Sequence, residues 1–479
     1  MVVIQLPQRV ADFDVKPYCV MNDNVIQIVD SLEKSVCSID HNITRYNKVG
    51  DLIDFVFDKG IETIWIKPYS KLSKMFDYEF IKASSEKYNV DFLDRVDREM
   101  DKFATWRNDG EWNNRRTIRV MLPDRSSTWH FRDYDNLVTS QMTMGIAALS
   151  RGFQLDINGS PSKLGLEYFE SYYSLRHDLI TDNIKKIDLP DKCTARTPVW
   201  LSKKIPQNKL YLHVVDKTGT FINSTQSTKL GIGKPTNVIN PVFDKSIVGV
   251  WRVKFHESNS KYNGIEYPLP FSKNIEWVWT PELVIANKLG YEFDVFEANI
   301  WEKSKILFKQ WAVDVWKIRE YFKAEYKRTG QIYYKIAYDA VKNVYTQTIG
   351  RLHPTRDDWY KIFVRYDWYD MIVADARLKV LWNVFTYDKE INEMEIFSLD
   401  DKPVLIMILH DALYYLSNER DINKALPRMI RNENDLGGWK HKYSFEWSVV
   451  KDIFNSINYP GKIGQHLNIL EDEKKNLVA

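Results

Sequence analysis

The pattern of hydrophobic and polar positions divides the chain into a mixed first part, a strand-rich middle and a third part with long helices. In the first part, short apolar runs between polar turns predict strands, and apolar residues at helical spacing predict short helices. These predicted elements are strands at 63–67 and 117–121 and helices at 51–58, 145–152 and 164–175. Pro190 and Pro198 mark a boundary before the next domain.

The pattern changes to strands at residue 209. A β-rich run over 209–216 ends in Asp216, and a polar turn interrupted by Phe221 follows it. The other elements predicted here are strands at 246–255 and 291–297 and a short helix at 280–290. A central strand fixes an aspartate at its end, which favours metal chemistry at Asp216. An aspartate that only caps the following turn explains the pattern equally well.

Two long helices joined by a tight turn come next, over 301–327 and 332–349, with the break at 329–330. Such a pair predicts an antiparallel helical hairpin. Three cations lie on or near its second arm: Arg328, Lys335 and Lys342. Lys335 and Lys342 are seven residues apart and share a face. Lys342, eight residues before Gly350, is the cation that we expect to face a cleft, although most lysines on amphipathic helices are simply solvated.

The last part predicts a helix over 355–384 that packs under a sheet, and then a hairpin over 403–416. The first strand of this hairpin is fully apolar and is therefore expected to be buried. Asp411 lies at its tip, where a carboxylate taken out of water needs a counter-charge or a metal. A solvated turn aspartate is the alternative. A glycine-turned basic segment at 435–443 and a solvated tail at 471–475 complete the chain.

Composition limits the classes of protein that the chain can form. Its 479 residues exceed one compact core, and 44% apolar and 28% charged residues are typical of folded multidomain proteins. The net charge of +2 gives no overall field for nucleic acid, so a binding groove has to be locally basic. Three scattered cysteines, no secretory leader and no apolar run long enough to span a bilayer predict a cytoplasmic protein that does not enter a membrane.

Four segments in this order resemble motifs of the family B DNA polymerases, most closely the compact protein-primed phage type. The run Asp216–Phe221 resembles the motif D-x-x-S-L-Y-P-S, and Lys342–Gly350 resembles the fingers motif K-x-x-x-N-S-x-Y-G. The hairpin tip Leu409–Ala412 resembles D-T-D-S, and Leu436–Lys442 resembles L-G-x-W-x-x-E. The resemblance covers about residues 205 to 445.

The resemblance implies an α+β multidomain fold with an exonuclease-like (RNase H-like) N-terminal domain, a palm, two-helix fingers and a small thumb. The implied division is an exonuclease-like domain at 1–200, palm at 201–300 and 351–425, fingers at 301–350, and thumb with tail at 426–479. The acids Asp12 and Asp14 are the one trace of the exonuclease motif D-x-E, and we interpret them as loop acids in an inactive nuclease fold.

The resemblance also implies two-metal nucleotidyl transfer. Asp216 and Asp411 are the expected ligands of two Mg²⁺ or Mn²⁺ ions, with Lys342 as the main cation for the triphosphate. The expected nucleotide contacts are Phe221, under the incoming sugar, with Lys335 and Arg328. The expected DNA contacts are Gly350, Arg351, Trp439 and Lys440. The implied partners are a DNA primer-template, deoxynucleotides and a terminal or priming protein, in phage or mobile-element replication inside a bacterial host.

Several positions depart from the family motifs. They are Gly219, Ile222, Thr346, Gln347, Ile349, Leu409 and Lys442. Leu409 replaces the first acid of D-T-D-S, so Asp411 has to carry the metal-binding role alone in that motif. Two alternatives therefore stand beside the polymerase. One is a catalytically degenerate polymerase fold that binds DNA or a replication complex as a scaffold, and the other is a different enzyme in which these motifs are coincidental.

Overall fold

A computed structural model describes residues 18–21, 25–29, 36–40, 61, 63–66, 89–91, 105–107, 117–121, 129, 139–155, 157, 160–173, 199–256, 274–353, 365–393, 401–430 and 436–478. The chain divides into two units, Met1–Arg176 with Gln310–Arg351, and His177–Lys309 with Leu352–Ala479. Three sequence predictions lie outside the described residues: the helix at 51–58, the boundary near Pro190 and the acids Asp12 and Asp14.

The described chain contains both strands and helices in each unit. The strands are β1 (Tyr18–Met21), β2 (Val25–Val29), β3 (Val36–Asp40), β4 (Thr63–Ile66), β5 (Asn89–Asp91), β6 (Thr105–Arg107), β7 (Thr117–Met121), β8 (Val199–Leu201), β9 (Tyr211–Lys217), β10 (Leu230–Ile232), β11 (Thr236–Ile239), β12 (Val248–Phe255), β13 (Glu276–Trp279), β14 (Phe293–Trp301), β15 (Lys303–Lys305), β16 (Val404–Leu409), β17 (Ala412–Ser417) and β18 (Trp439–Glu446). The helices are α1 (Thr139–Phe153), α2 (Pro161–Tyr173), α3 (Thr220–Thr225), α4 (Thr280–Lys288), α5 (Lys309–Thr329), α6 (Ile332–Arg351), α7 (Tyr366–Glu393), α8 (Ile422–Ala425), α9 (Trp447–Ser456) and α10 (Pro460–Val478). None of these helices combines the length and the apolar content needed to cross a bilayer.

The first unit is built on a seven-stranded sheet of order β3-β2-β1-β4-β7-β6-β5. Strands β1, β2 and β3 form an antiparallel meander, and β4 and β7 continue the sheet parallel to β1. Helix α1 covers this sheet, because Thr143 donates from Oγ1 to Gln27 Oε1 over 2.8 Å. The predicted strands at 63–67 and 117–121 are confirmed as β4 and β7.

The predicted helical hairpin is confirmed as α5 and α6, joined by Gly330 at a φ of 68°. It packs against α1 and α2 at glycines, which allow the helix backbones to approach closely. A side chain at Gly165 of α2 would meet Thr348 of α6, and one at Gly152 of α1 would lie 2.8 Å from Phe322 of α5. Trp311 Nε1 donates to the carbonyl oxygen of Gly165 over 3.0 Å and fixes the same contact.

Helix α5 begins at Lys309 rather than at Trp301, so the predicted start of the hairpin at 301 is wrong. Residues up to Trp301 belong to β14, which pairs with β12 from Val248↔Trp301 to Phe255↔Phe293. Only the start of the predicted helix was misplaced: Trp301 is a ladder residue, because tertiary pairing overrides local helix propensity, whereas Trp311, Val315, Ile318 and Phe322 lie on the buried face of α5. Strands β11, β14, β12 and β13 form one four-stranded sheet, and β10 pairs with β15.

A five-stranded sheet of order β18-β9-β17-β16-β8 forms the centre of the second unit. Successive residues of its strands face opposite sides. Val214 and Tyr414 lie in the apolar cluster that α9 and α10 complete. Val215 and Tyr415 lie in the cluster that α7 completes, so the helix predicted at 355–384 packs under the sheet as expected, with observed bounds of Tyr366–Glu393. The predicted tail at 471–475 is instead the last part of α10, because Ile463 and Leu467 anchor this helix in the first cluster.

Candidate active site

The two candidate metal ligands lie at neighbouring positions of the five-stranded sheet. Asp216 is the sixth residue of β9 and faces Ala412 of β17 across the antiparallel ladder. Asp411 directly precedes Ala412, in the two-residue turn between β16 and β17. The backbone N–H of Lys217 donates to the carbonyl oxygen of Asp411 over 3.0 Å. Two residues almost two hundred positions apart therefore come to the same end of one sheet.

The turn that carries Asp411 is tight. Leu409 pairs with Ala412, so only His410 and Asp411 form the loop, and His410 has a φ of 57°. Two-residue hairpin loops require such left-handed backbone conformations. Strand β17 is buried over its whole length, which fixes the register of the turn against β9.

The surroundings of Asp411 disfavour the ionised form of its carboxyl. Burial raises the pKa of its carboxyl, and the negative charge of Asp216 raises it further. A hydrogen bond opposes this shift, because Thr220 at the start of α3 donates from Oγ1 to Asp411 Oδ2 over 3.1 Å. The predicted polar turn after Asp216 is thus a short helix that supplies a donor to the second carboxylate. A cation between the two acids would offset the repulsion between their charges.

Asp216 forms an ion pair with Lys440, whose Nζ lies 3.0 Å from Asp216 Oδ2. Lys440 faces Asp216 across the β9–β18 ladder, so the backbone register fixes the contact. Side-chain exposure is 21% for Asp216 and 47% for Lys440. Lys440, which the sequence predicted to contact DNA, therefore forms an ion pair with one of the candidate metal ligands.

A second lysine lies under the site on the opposite face of the sheet. Lys217 follows Asp216 in β9 and is buried, with its Nζ 5.3 Å from the ring centroid of Trp439. Burial lowers its pKa to about 8, with a further lowering by the nearby charge of Lys379. Asn383 accepts from Lys217 Nζ over 2.6 Å once its amide is turned to face this cation. Lys379 in turn pairs with Asp375 over 2.8 Å.

The two aspartates fit a divalent cation of the magnesium type. Carboxylate oxygens are hard ligands, and Mg²⁺ is commonly held by one or two carboxylates together with substrate phosphates. The described residues contain no group of three or more His, Cys, Asp or Glu that could hold a metal, so the fit depends on Asp216 and Asp411. The strand register supports the fit, because Asp411 directly precedes the ladder partner of Asp216 and so keeps the second carboxylate close to the first.

The other predicted nucleotide contacts are distributed over both units. Phe221 is half-buried on α3, next to Thr220. Lys342 is exposed on α6, and its ammonium makes no ion pair with the described residues. Lys335 pairs with Asp339 over 3.1 Å, and Arg328 pairs with Glu325 over 2.5 Å, both within the hairpin. The roles assigned to these hairpin cations stay predictions, because the hairpin belongs to the first unit and the carboxylates to the second.

The predicted DNA contacts differ in their surroundings. Gly350 is exposed near the end of α6, where an added Cβ would meet nothing within 4 Å. Arg351 donates to Ser162 Oγ over 3.3 Å. Trp439 is only 7% exposed and packs in the core of the second unit. Their assignment to DNA stays a prediction, and the burial of Trp439 gives its ring a structural role beneath Lys217.

Four residues that contribute to this site were not predicted from the sequence: Thr220, Lys217, Lys379 and Asn383. Strand alternation gives one signal, since Lys217 must face away from Asp216 in β9. The spacing of Asp375, Lys379 and Asn383 gives a second, because residues four apart share a helix face. No local pattern predicts that this face of α7 lies under β9, because that contact depends on packing over a long sequence separation.

Comparison with known proteins identifies the fold. No family model matches the chain, and no curated protein matches it. Among solved structures, it is similar to Phi29 DNA polymerase complexed with primer-template DNA, with a TM-score of 0.52 and 11% identity over 90% of this chain and 84% of that chain. It also matches Phi29 DNA polymerase complexed with primer-template DNA and incoming nucleotide substrates, with a TM-score of 0.49 and 9% identity over 91% and 85%.

This likeness extends well beyond the segments that carry the motifs, since it covers most of both chains. The chain therefore has a mixed α/β, multidomain fold of the DNA polymerase kind. More particularly, its fold is similar to that of Phi29 DNA polymerase, and the resemblance that the sequence motifs suggested is confirmed at the level of fold. At 11% identity the likeness concerns the fold alone.

Proposed function

We propose that the chain is a template-directed DNA polymerase that uses divalent metal ions for nucleotidyl transfer. The observation that carries this proposal is the meeting of Asp216 and Asp411 at one end of the β9–β17 ladder. The fold likeness to Phi29 DNA polymerase supports the same function. The substrates under this proposal are a DNA primer-template, as in the similar complex of Phi29 DNA polymerase with primer-template DNA, and deoxynucleotides, which the motif resemblance implies.

Asp216 and Asp411 would hold Mg²⁺ or Mn²⁺. Ions held there would supply activation of the primer 3′ hydroxyl and positive charge for the triphosphate. Thr220 keeps the Asp411 carboxylate oriented through its hydrogen bond. Phe221, on the same short helix, would contact the incoming sugar. Lys342, Lys335 and Arg328 would supply positive charge to the phosphates, with Lys342 the one whose ammonium has no ion pair among the described residues.

The division into palm, fingers and thumb belongs to this proposal. The five-stranded sheet would be the palm and the α5–α6 hairpin the fingers, with α9 and α10 as a small thumb. The meander β1–β3 extended by parallel β4 and β7 supports an exonuclease-like (RNase H-like) N-terminal domain. Phage or mobile-element replication, a terminal or priming protein and a bacterial cytoplasm complete the proposal by resemblance alone.

Primer extension tests the proposal. Purified protein is incubated with a labelled primer-template, deoxynucleotides and either Mg²⁺ or Mn²⁺. We expect metal-dependent extension that Asp216→Asn abolishes. The matched control Asp244→Asn removes an exposed turn carboxylate and should extend normally. Extension that survives Asp216→Asn would contradict the site assignment. Salt-sensitive DNA binding without incorporation by the wild type would instead support the degenerate scaffold.

A further inference from the structure

The carboxylate pair has a half-exposed lysine beside it, Lys440, at a position that the motif L-G-x-W-x-x-E leaves unspecified. Lys440 Nζ lies 3.0 Å from Asp216 Oδ2. Residues 216 and 440 are partners in the β9–β18 ladder, so the lysine begins from a fixed backbone position beside the aspartate. A cation of the chain thus occupies an oxygen that a divalent ion would need.

The other two lysines near the carboxylate pair make contacts with other residues. Lys217 is buried on the opposite face of the sheet, against Trp439. Lys379 pairs with Asp375 over 2.8 Å and donates to Ser227 Oγ over 2.6 Å. Of these three lysines, Lys440 has the most exposed side chain, at 47%. It is therefore the one that can leave its carboxylate and enter water without losing buried contacts.

The negative charge of the two carboxylates explains why a nearby cation of the chain stabilises them. Asp411 directly precedes Ala412, the ladder partner of Asp216, so two carboxylates of like charge lie close together and repel each other. The motif D-T-D-S has an acid at the position where this chain has Leu409. The site therefore carries less negative charge than a site with three acids. A single lysine therefore offsets half of the charge of the pair, and weakens the attraction of the site for a second cation.

From this geometry we infer that Lys440 acts as a tethered competitor of the divalent ion at Asp216 and Asp411. With no metal bound, its ammonium pairs with Asp216 and stabilises the two acids. A divalent ion has to displace this ammonium, so the site binds free metal weakly. A half-exposed ion pair contributes little to stability, and its long side chain moves easily, which makes the displacement feasible. The inference rests on the proposed metal site and adds a regulation of it.

Titration of metal-free protein with Mn²⁺ alone, followed by calorimetry, tests the inference without requiring activity. We expect Lys440→Met to bind Mn²⁺ about tenfold more tightly than the wild type. Lys440→Arg keeps a cation at the same ladder position and should stay within about threefold of the wild type. The matched control is Lys442→Met, which removes the same charge from a side chain on β18 that donates to Asn468 Oδ1 over 3.0 Å. It should change the affinity by less than about twofold.

The outcomes separate this inference from the proposed function. Tighter binding by Lys440→Met, abolished when Asp216→Asn is added, supports both. Equal binding by the wild type and Lys440→Met, or an equal gain from Lys442→Met, overturns the competition while leaving the metal site in place. Absence of Mn²⁺ binding by the wild type and by Lys440→Met overturns both. Circular dichroism of each variant confirms that the sheet is retained.

Discussion

Replacing Asp411 with asparagine should stabilise the metal-free protein. The carboxylate of Asp411 is partly buried beside Asp216, and burial and like charge both raise its pKa above the usual 3.8. An asparagine removes the charge and keeps an oxygen that accepts the hydrogen bond of Thr220. The ionised carboxylate of Asp411 therefore lowers the stability of the metal-free fold.

The magnitude follows from simple electrostatics. Two like charges about 5 Å apart repel by about 3 kcal/mol at an effective dielectric constant near 20. Lys440 pairs with Asp216, and the partly exposed site admits water, so most of this repulsion is screened. We therefore expect Asp411→Asn to gain about 1 kcal/mol, or about 2–4 °C in the unfolding temperature of a domain of this size.

Thermal unfolding with a chelator at pH 7 measures the effect. The sign of its pH dependence is fixed, because a carboxyl whose folded pKa is raised destabilises the fold only while it is ionised. The advantage of Asp411→Asn should shrink as the pH falls through the folded pKa, where the wild type protonates Asp411. Added Mn²⁺ should raise the unfolding temperature of the wild type and leave that of the variant unchanged.

Asp244→Asn is the control, because the pKa of the Asp244 carboxyl is shifted in the direction opposite to that of Asp411. Asp244 is exposed, and the backbone N–H of Ser246 donates to its Oδ1 over 2.8 Å, which holds its pKa below the usual value. Its replacement should leave stability unchanged or slightly lower. A loss of stability in metal-free Asp411→Asn at pH 7, equal to or larger than that of the control, would refute the electrostatic reasoning.

The remaining predictions concern packing, the buried ion pair and acid stability. Gly165→Ala should destabilise the first unit by about 1–3 kcal/mol in urea unfolding, because the added methyl group meets α6. Gly350→Ala has open space and should gain about 0.5–1 kcal/mol in the same assay, and weaker DNA binding by this stable variant would support its predicted contact. Arg377→Met should lower the urea midpoint by the equivalent of about 3–5 kcal/mol, since it leaves the carboxylate of Glu282 buried without its 2.8 Å partner. Burial lowers the pKa of His213, so stability should fall below about pH 6.5, and His213→Gln should reduce this loss in pH-dependent unfolding.

The sequence predicted best where one local pattern was enough. The apolar run before Asp411 and the aromatic run after it gave a hairpin, and the structure has β16 and β17 there. The glycine break at 329–330 gave the helical hairpin, and α5 and α6 meet at that place. In each of these cases the period of the apolar residues and the turn chemistry point to the same element.

The sequence failed where long-range pairing decides the structure. Trp301 resembled a helix start, but β14 pairs with β12 through this residue. The contact of Lys440 with Asp216 was also unforeseen, because it depends on the register of β18 against β9 over more than two hundred residues. The burial of Lys217 under the site depends in the same way on α7 packing against the sheet. The period of the apolar residues determines which face of a strand or helix a side chain occupies. The register between strands determines which residue of the neighbouring strand it contacts.

The most direct test of the central claim is a crystal structure of the protein grown with Mn²⁺, with data collected for anomalous scattering from manganese. We expect an anomalous peak bonded to carboxylate oxygens of both Asp216 and Asp411, with Lys440 moved away from Asp216. Manganese bound at another place while Asp216 keeps its ion pair with Lys440 and Asp411 binds no ion would contradict it.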